Sequence, residues 1–101
     1  MNERITDIDL MQASQGTSTN AQGYALYVVL KQSMLNDGKI RLSLKGASPM
    51  SSSFLNSSLG ELIDEFGIDR VKSSLSLVNY TASQARILKE YLTTYQKYAK
   101  K

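Results

Sequence analysis

Three consecutive serines, Ser51, Ser52 and Ser53, are the residues whose type and position in this sequence most readily suggest chemistry. They follow an alternating apolar segment at residues 39–45 and precede an apolar pattern with helical spacing at residues 52–66. A serine hydroxyl in the first turn of a helix can accept a hydrogen bond from a free amide, and a phosphate attached to it can bind the same amides. The serines are therefore either a helix cap or a site at which negative charge can be added.

The sequence contains no cysteine and no histidine, and this restricts the chemistry that the serines could perform. Thiol nucleophiles, disulfide bonds, Cys/His zinc sites and Ser-His-Asp triads are all excluded. A serine with a lysine base is not excluded, although no spacing in the sequence indicates such a pair. Three carboxylates, Glu61, Asp64 and Glu65, are predicted to lie on an exposed helix surface, where solvation is their ordinary role. We therefore expect a protein that is not an enzyme and that holds no metal and no cofactor.

Length and composition indicate one domain that spans residues 1–101. No apolar run approaches the roughly 18 residues that a membrane-spanning helix requires. The N-terminal stretch MNERITDIDL is acidic and polar, unlike a secretory signal. We therefore expect a cytoplasmic location, with a polar loop at residues 12–20 and a frayed basic tail at residues 99–101.

Hydrophobic periodicity predicts strands and helices in alternation. Strands are predicted at residues 4–11, 39–45 and 75–79, and helices at residues 21–36, 52–66 and 81–98. The last helix is predicted to begin at a capping box formed by Thr81 and Gln84. Residues 12–23 are predicted to form a polar loop, and a strand is the alternative for residues 24–30. The order β-α-β-α-β-α is typical of an α/β domain with a mainly parallel sheet of three to four strands and helices packed on it.

The segment around the serines has the features of a helix start. Ser51 is the predicted N-cap, whose hydroxyl accepts from an amide two or three residues further along. Met50 and Leu55 then stand at the spacing of a hydrophobic staple. This interpretation explains Ser51 and leaves Ser52 and Ser53 without a structural task.

A longer stretch around these serines resembles a known family. Residues 39–67, KIRLSLKGASPMSSSFLNSSLGELIDEFG, look like the central strand, turn and helix of STAS domains, the fold of bacterial anti-sigma factor antagonists. The resemblance is closer to the STAS-like family of uncharacterised function, in which Ser-Phe-Leu opens a helix that ends in Phe-Gly. Residues 75–92, LSLVNYTASQARILKEYL, are similar to that family's next strand and helix. The resemblance implies a small, single STAS-like domain.

The resemblance also implies roles for the three serines. In the antagonist proteins an Asp-Ser-Ser or Asp-Ser-Thr turn carries a serine that a kinase-like anti-sigma factor phosphorylates, and phosphorylation breaks the complex. On this resemblance Ser51 stands at the aspartate, Ser52 at the modified serine and Ser53 at the next hydroxyl. The acid is missing at position 51, and Ser43-Leu44 stands where the STAS-like family often has Asp-Phe. Phosphorylation of Ser52 or Ser53 is therefore a hypothesis that carries over less directly than the fold does.

The resemblance implies a non-catalytic regulatory module that binds a protein partner. The expected contact surface combines the turn at residues 47–53, the start of the helix that follows and the loop at residues 15–20. Its polar residues are Ser51, Ser52, Ser53, Asn56, Ser57, Thr17 and Ser18. Relatives linked to kinase-like ATP-binding domains, or encoded in mobile elements, imply a kinase-like partner or a host or phage regulatory complex that the protein inhibits.

Other functions remain open at this point. Nucleic-acid binding is the main alternative, because the C-terminal helix interleaves tyrosines with cations, although cations there also stabilise the helix dipole. The residues of this alternative are Lys89, Lys97, Lys100, Lys101, Tyr95 and Tyr98. A small-molecule site at residues 15–18 is a further alternative, since open α/β sheets bind ligands beyond the carboxyl ends of their strands. Free sheet edges and the tyrosines at positions 24, 27 and 98 also predict a homodimer.

Overall fold

The structure of the protein, a computed structural model, describes residues 5–36, 38–47 and 49–99, and its side chains as far as residue 94. The predicted strand start at residue 4 and residues 100–101 of the tail predicted at residues 99–101 lie outside the described residues. So do the side chains of Tyr95, Lys97 and Tyr98, which belong to the nucleic-acid alternative.

The three predicted strands form one parallel sheet. Strands β1, β2 and β3 are Ile5–Asp9, Lys39–Ser43 and Leu75–Val78. Their order in the sheet is β1-β2-β3, both pairs are parallel, and Ile8, Leu42 and Leu77 stand in register across it. The α/β fold with a parallel sheet is therefore confirmed, with three strands in the described part of the chain.

Helices connect the strands and follow the last one. Helices α1 to α6 are Leu10–Ser14, Asn20–Leu35, Ser52–Leu55, Glu61–Phe66, Ile68–Ser74 and Ala82–Ala99, and a π-helix covers Asn56–Gly60. Helix α3, the π-helix and α4 follow one another without a break, and we call residues 52–66 the composite helix. The three helices predicted from periodicity are confirmed to within about one residue at each end, the usual scatter of helix boundaries.

The hydrophobic core lies on one face of the sheet. Ile8, Ile40 and Leu42 are buried there and pack with α2 and the composite helix. Because the strands are neighbours in chain order, right-handed crossovers bring both helices to the same face. The helix side chains that fill the core include Leu26, Leu30, Met34, Phe54, Leu59 and Leu62.

The opposite face of the sheet is polar and open to solvent. Asp7 and Arg41 form an ion pair across β1 and β2, with 2.7 Å between Oδ1 and Nε. The hydrogen bond from Arg41 lowers the pKa of Asp7. A sheet covered on one face requires alternate apolar and polar residues, which is why the strands could be recognised from alternation.

The first strand ends earlier than the sequence predicts. Asp9, the last residue of β1, is also the N-cap of α1, since its carboxylate accepts from the amides of Met11 at 3.1 Å and Gln12 at 3.4 Å. Leu10 then turns into the core. The prediction of strand at residues 10–11 and of loop at residues 12–14 and at residue 20 is therefore wrong, and the loop between α1 and α2 is shorter.

Helix α5 was not predicted, because it is short and offers little periodicity. Gly67, with φ 91°, separates it from the composite helix, and Val71 is its buried residue. In the described part of the chain, no helix has both the length and the apolar composition needed to cross a membrane.

Candidate functional site

Two loops that precede helices are joined by hydrogen bonds on the surface of the protein. We call them the paired loops: residues 15–19, which lead into α2, and residues 49–51, which lead into the composite helix. The amide of Ser51 donates to the Thr17 carbonyl at 3.0 Å, and the Thr17 hydroxyl donates back to the Pro49 carbonyl at 3.1 Å. The structure thus brings together the loop and the turn that the sequence analysis named as parts of one expected contact surface.

Ser51 is the N-cap of the composite helix, as predicted. Its hydroxyl accepts from the amide of Phe54 at 3.1 Å and donates to the carbonyl of Ser18 at 3.0 Å. Met50 and Leu55 are both buried, which agrees with the predicted staple. The Ser51 hydroxyl therefore acts as donor and acceptor at once. A carboxylate at position 51 could accept from the Phe54 amide and cap the helix, but it could not donate to the Ser18 carbonyl.

Ser52 and Ser53 are exposed in the first turn of the composite helix. Among the described residues, neither hydroxyl has a hydrogen-bond partner. Their amides precede the first intrahelical bond, which the amide of Leu55 makes to the carbonyl of Ser51. These two residues therefore present hydroxyl groups, and the amides of a helix start, to whatever approaches this surface.

Asn56 and Ser57, the next two polar residues, hold the composite helix in place. The Tyr91 hydroxyl donates to Asn56 Oδ1 at 2.9 Å, and the Ser57 hydroxyl donates to Asn20 Oδ1 at 3.2 Å. Burial, with a smaller effect from the carboxylate of Asp64, raises the pKa of Tyr91 to about 12. The predicted polar face is thus divided between two unengaged serines and two residues that contact α6 and α2.

Gln22, which the sequence analysis did not single out, organises the loop at residues 15–19. Its Oε1 accepts from the amides of Ser18 at 3.0 Å and Thr19 at 3.2 Å, and its Nε2 donates to the Gln15 carbonyl at 3.3 Å. Thr19 in turn caps α2, so Thr19 and Gln22 form a capping box. The side-chain amide of Gln22 therefore lies inside the loop that was predicted as the alternative small-molecule site.

Gly23 brings α2 against the composite helix. A Cβ atom at this position would lie 2.4 Å from the carbonyl oxygen of Phe54, so no larger residue fits without displacement of one helix. Within the composite helix, one turn after Phe54, Ser58 is fully buried and its hydroxyl donates to the same Phe54 carbonyl at 2.8 Å. This contact lies at the π-helix, a feature that often accompanies functional sites.

The loops that follow β2 and β3 are also connected. The predicted capping box is confirmed, since Thr81 accepts from the Gln84 amide at 3.1 Å and the Gln84 side chain accepts from the Thr81 amide at 2.9 Å. The amide group of Gln84 also donates to the Ala47 carbonyl at 3.0 Å, and that of Asn79 donates to the Ser43 hydroxyl at 3.0 Å. The turn that carries the serines is therefore held at both ends.

The segments that carry the paired loops contain no charged residue. No Asp, Glu, Lys or Arg occurs at residues 10–30 or 46–60, which include both paired loops. A phosphate would add about two negative charges there. Modification of one serine would therefore give the paired loops a charge that their own residues lack.

The remaining candidates lie elsewhere. Lys89, of the nucleic-acid alternative, is exposed on α6. Tyr24 is exposed on α2, and Tyr27 beside it donates from its hydroxyl to the carboxylate of Glu65, which also pairs with Lys31 at 3.1 Å. None of these residues belongs to the paired loops.

Comparison with known proteins supplies one match. A family model described as a STAS-like domain of unknown function (DUF4325) matches residues 26–85, from within α2 to the first turn of α6. The match includes Ser51, Ser52 and Ser53 and begins after Thr17 and Ser18. No curated protein and no solved structure matches the chain significantly.

Proposed function

The chain belongs to the family of STAS-like domains of unknown function, and from that premise we propose that it is a non-catalytic regulatory module that binds a protein partner through its serine-rich turn. The observation that carries the proposal is the contrast between Ser51 and its two neighbours. Ser51 is engaged through both its proton and its lone pairs, whereas the hydroxyls of Ser52 and Ser53 are exposed and have no partner among the described residues.

The paired loops favour binding because their backbone is already fixed. Hydrogen bonds at 3.0–3.1 Å join Thr17, Ser18, Pro49 and Ser51, so a partner does not have to order this surface when it binds. A surface that is ordered in advance binds more tightly, because less conformational entropy is lost. The exposed hydroxyls of Ser52 and Ser53 stand at the edge of this fixed surface.

The same position suits control by charge. A phosphate on Ser52 or Ser53 would be stabilised by the free amides and the positive end of the composite helix, so it would not disturb the fold. It would also place about two negative charges beside loops that contain no charged residue. A partner that packs its own polar groups against the unmodified serines would then lose affinity through desolvation and repulsion.

The partner class follows from the family resemblance. A kinase-like ATP-binding protein would both bind the turn and modify it, in the cytoplasm. A host or phage regulatory complex that the protein inhibits is the other candidate, and it would use the same surface without modifying it.

The proposal is tested by affinity capture from native lysate with mass spectrometry. Wild type is compared with a variant that carries Ser52→Asp and Ser53→Asp. Ser83→Asp is the matched control, because Ser83 is also exposed and stands two residues after the capping residue Thr81, as Ser53 stands after Ser51. We expect a partner that wild type and the control both capture and that the double variant loses, with unchanged circular dichroism in all three proteins. Capture of the same partner by all three proteins would contradict the proposal, and salt-sensitive capture of nucleic acid would favour α6 instead.

A further inference from the structure

The edge strand β3 is covered less completely than its neighbour β2. Leu75 and Leu77 point to the core face and are only half-buried, whereas Ile40 and Leu42, their partners in register, are 0% and 2% exposed. The apolar face of the sheet thus extends beyond the helices that cover it. An apolar group placed beside β3 would complete the cover of this face.

An apolar groove lies where the cover is missing. Its apolar lining residues, which come from β3, α5, α6 and the composite helix, are Leu59, Val71, Leu75, Leu77, Leu88 and Leu92. Its volume is about 170 Å³, and a neighbouring lobe of about 290 Å³ continues along α6 past Ala85 and Thr93. Because residues of β3 line the groove and no residue of β2 does, the groove lies toward the edge of the sheet that β3 forms. We call it the β3 groove.

The backbone beside this groove belongs to an edge strand of the sheet. In the described part of the chain no strand pairs with the outer edge of β3, and its residues Leu75–Val78 include no charge and no proline. The other edge strand, β1, carries Asp7 and Asp9, which discourage pairing with a further strand. The carbonyl of Val78 accepts from the amide of Leu44, so strand alternation directs the N–H and C=O of Leu77 outward.

The charges at the groove have one sign. Lys72 and Lys89 line it and are exposed, and no carboxylate is among its lining residues. Among the described residues neither lysine takes part in an ion pair. Two unpaired cations beside an apolar groove favour an apolar partner segment that carries carboxylates, and they disfavour a second copy that would bring the same lysines.

We propose that β3 and the β3 groove bind an extended, acidic segment of a protein partner as a fourth strand of the sheet. The backbone of that segment pairs with Leu77, its alternate apolar side chains enter the groove, and its flanking carboxylates lie near Lys72 and Lys89. Main-chain bonds give affinity in this mode of recognition, and the pockets for alternate side chains give specificity. The site is separate from the paired loops, so it stands whether or not the serine turn binds a partner.

The test uses the full chain and a fluorescein-labelled peptide, Asp-Glu-Leu-Thr-Leu-Thr-Leu-Glu-Asp, with a control in which Lys replaces every acid. We expect saturable binding of the acidic peptide and none of the basic one. Hydrogen exchange followed by NMR should show that the amide of Leu77 exchanges quickly in the free protein and slowly in the complex. Absence of binding, or binding without protection of Leu77, would overturn the proposal. Protection of Leu77 in the free protein that disappears on dilution would show that a second copy holds this edge, and would overturn it too.

Variants locate the site. Lys72→Glu and Lys89→Glu should each weaken peptide binding about 3-fold, the effect of one exposed ion pair. Lys45→Glu, which changes an exposed lysine outside the groove, should leave the affinity unchanged. The variant with Ser52→Asp and Ser53→Asp should also bind the peptide as wild type does, so a failure of the serine-turn proposal is distinguishable from a failure of this one. Equal losses of peptide affinity in all three lysine variants would show that the effect depends only on the net charge of the protein, and would overturn the proposal.

Discussion

The hydroxyl of Ser51 joins two loops that are separated by more than thirty residues in the chain. It donates to the carbonyl of Ser18 at 3.0 Å while it accepts from the amide of Phe54 at 3.1 Å. One side chain thereby caps the composite helix and fixes the loop that leads into α2. The unengaged hydroxyls of Ser52 and Ser53 owe their fixed position to this contact.

Ser51→Ala should destabilise the protein, and Ser52→Ala should not. Loss of the cap and of the bond to Ser18 should lower the free energy of unfolding by about 1–2 kcal/mol. Ser52 is exposed and has no partner among the described residues, so its truncation should stay within about 0.5 kcal/mol of wild type. Urea denaturation of the three proteins measures both values. Equal stabilities of the two variants would show that Ser51 does not join the loops.

Ser51→Asp should destabilise the protein even though aspartate is usually as good an N-cap as serine. A carboxylate can accept from Phe54, but it has no proton for the Ser18 carbonyl and would face that oxygen with a negative charge. Thr81→Asp is the matched control, because Thr81 caps α6 by accepting alone. In thermal unfolding we expect a lower midpoint for Ser51→Asp and an unchanged midpoint for Thr81→Asp. The opposite order would contradict this account of the missing acid at position 51.

Gly23→Ala should be destabilising although alanine favours helices by about 1 kcal/mol over glycine. The added methyl would lie 2.4 Å from the Phe54 carbonyl oxygen, so α2 and the composite helix must move apart. Such overpacking costs about 1–3 kcal/mol. Chemical denaturation measures it, with Gln32→Ala on the exposed side of α2 as the control. A gain in stability for Gly23→Ala would show that the two helices are not in contact there.

Glu65→Gln should make stability less sensitive to acid. The hydrogen bond from Tyr27, followed by the contact with Lys31, lowers the pKa of Glu65 from its ordinary value of 4.5. A carboxylate with a lowered pKa in the folded state stabilises the protein above the unfolded value, and this contribution is lost as the pH falls below 4.5. Urea midpoints between about pH 5 and pH 3 should therefore fall less steeply for Glu65→Gln than for wild type. A common slope for Glu65→Gln and wild type would contradict the prediction.

Tyr91→Phe should reduce the loss of stability in alkali. Burial raises the pKa of Tyr91 from 10.0 to about 12. A phenol with a raised pKa stabilises the folded state below the unfolded value, and this contribution disappears as the pH rises from 10 to about 12. Denaturation at a series of pH values across this range should show a shallower decline for Tyr91→Phe than for wild type. Identical declines would mean that Tyr91 is not held against the composite helix.

Features that depend on neighbours in the chain could be predicted from the sequence. The parallel strands were recognised from alternation, and the start of the composite helix from Ser51, Met50 and Leu55. These signals are local because a cap and a staple involve residues within one helical turn. The same rule would have found Thr19 and Gln22, which repeat the pattern recognised at Thr81 and Gln84.

Features that depend on distant contacts could not be predicted. Nothing in the spacing of Ser18 and Ser51 indicates that they meet, since the contact exists only once β1 and β2 have paired. The close approach of Gly23 to Phe54 is equally non-local, although a glycine inside a predicted helix was a signal that a close contact was required. The short helices α1 and α5 were missed because a few residues do not establish a period.

The most direct measurement for the serine-turn proposal is hydrogen–deuterium exchange of the protein alone and in the complex recovered from lysate. The proposal predicts slower exchange of backbone amides at residues 15–19 and 49–57 in the complex, with no change on the polar face of the sheet around Arg41. The Ser52→Asp and Ser53→Asp variant, mixed with the same partner, should show no such protection. Protection confined to α6, with the paired loops exchanging as in the free protein, would contradict it.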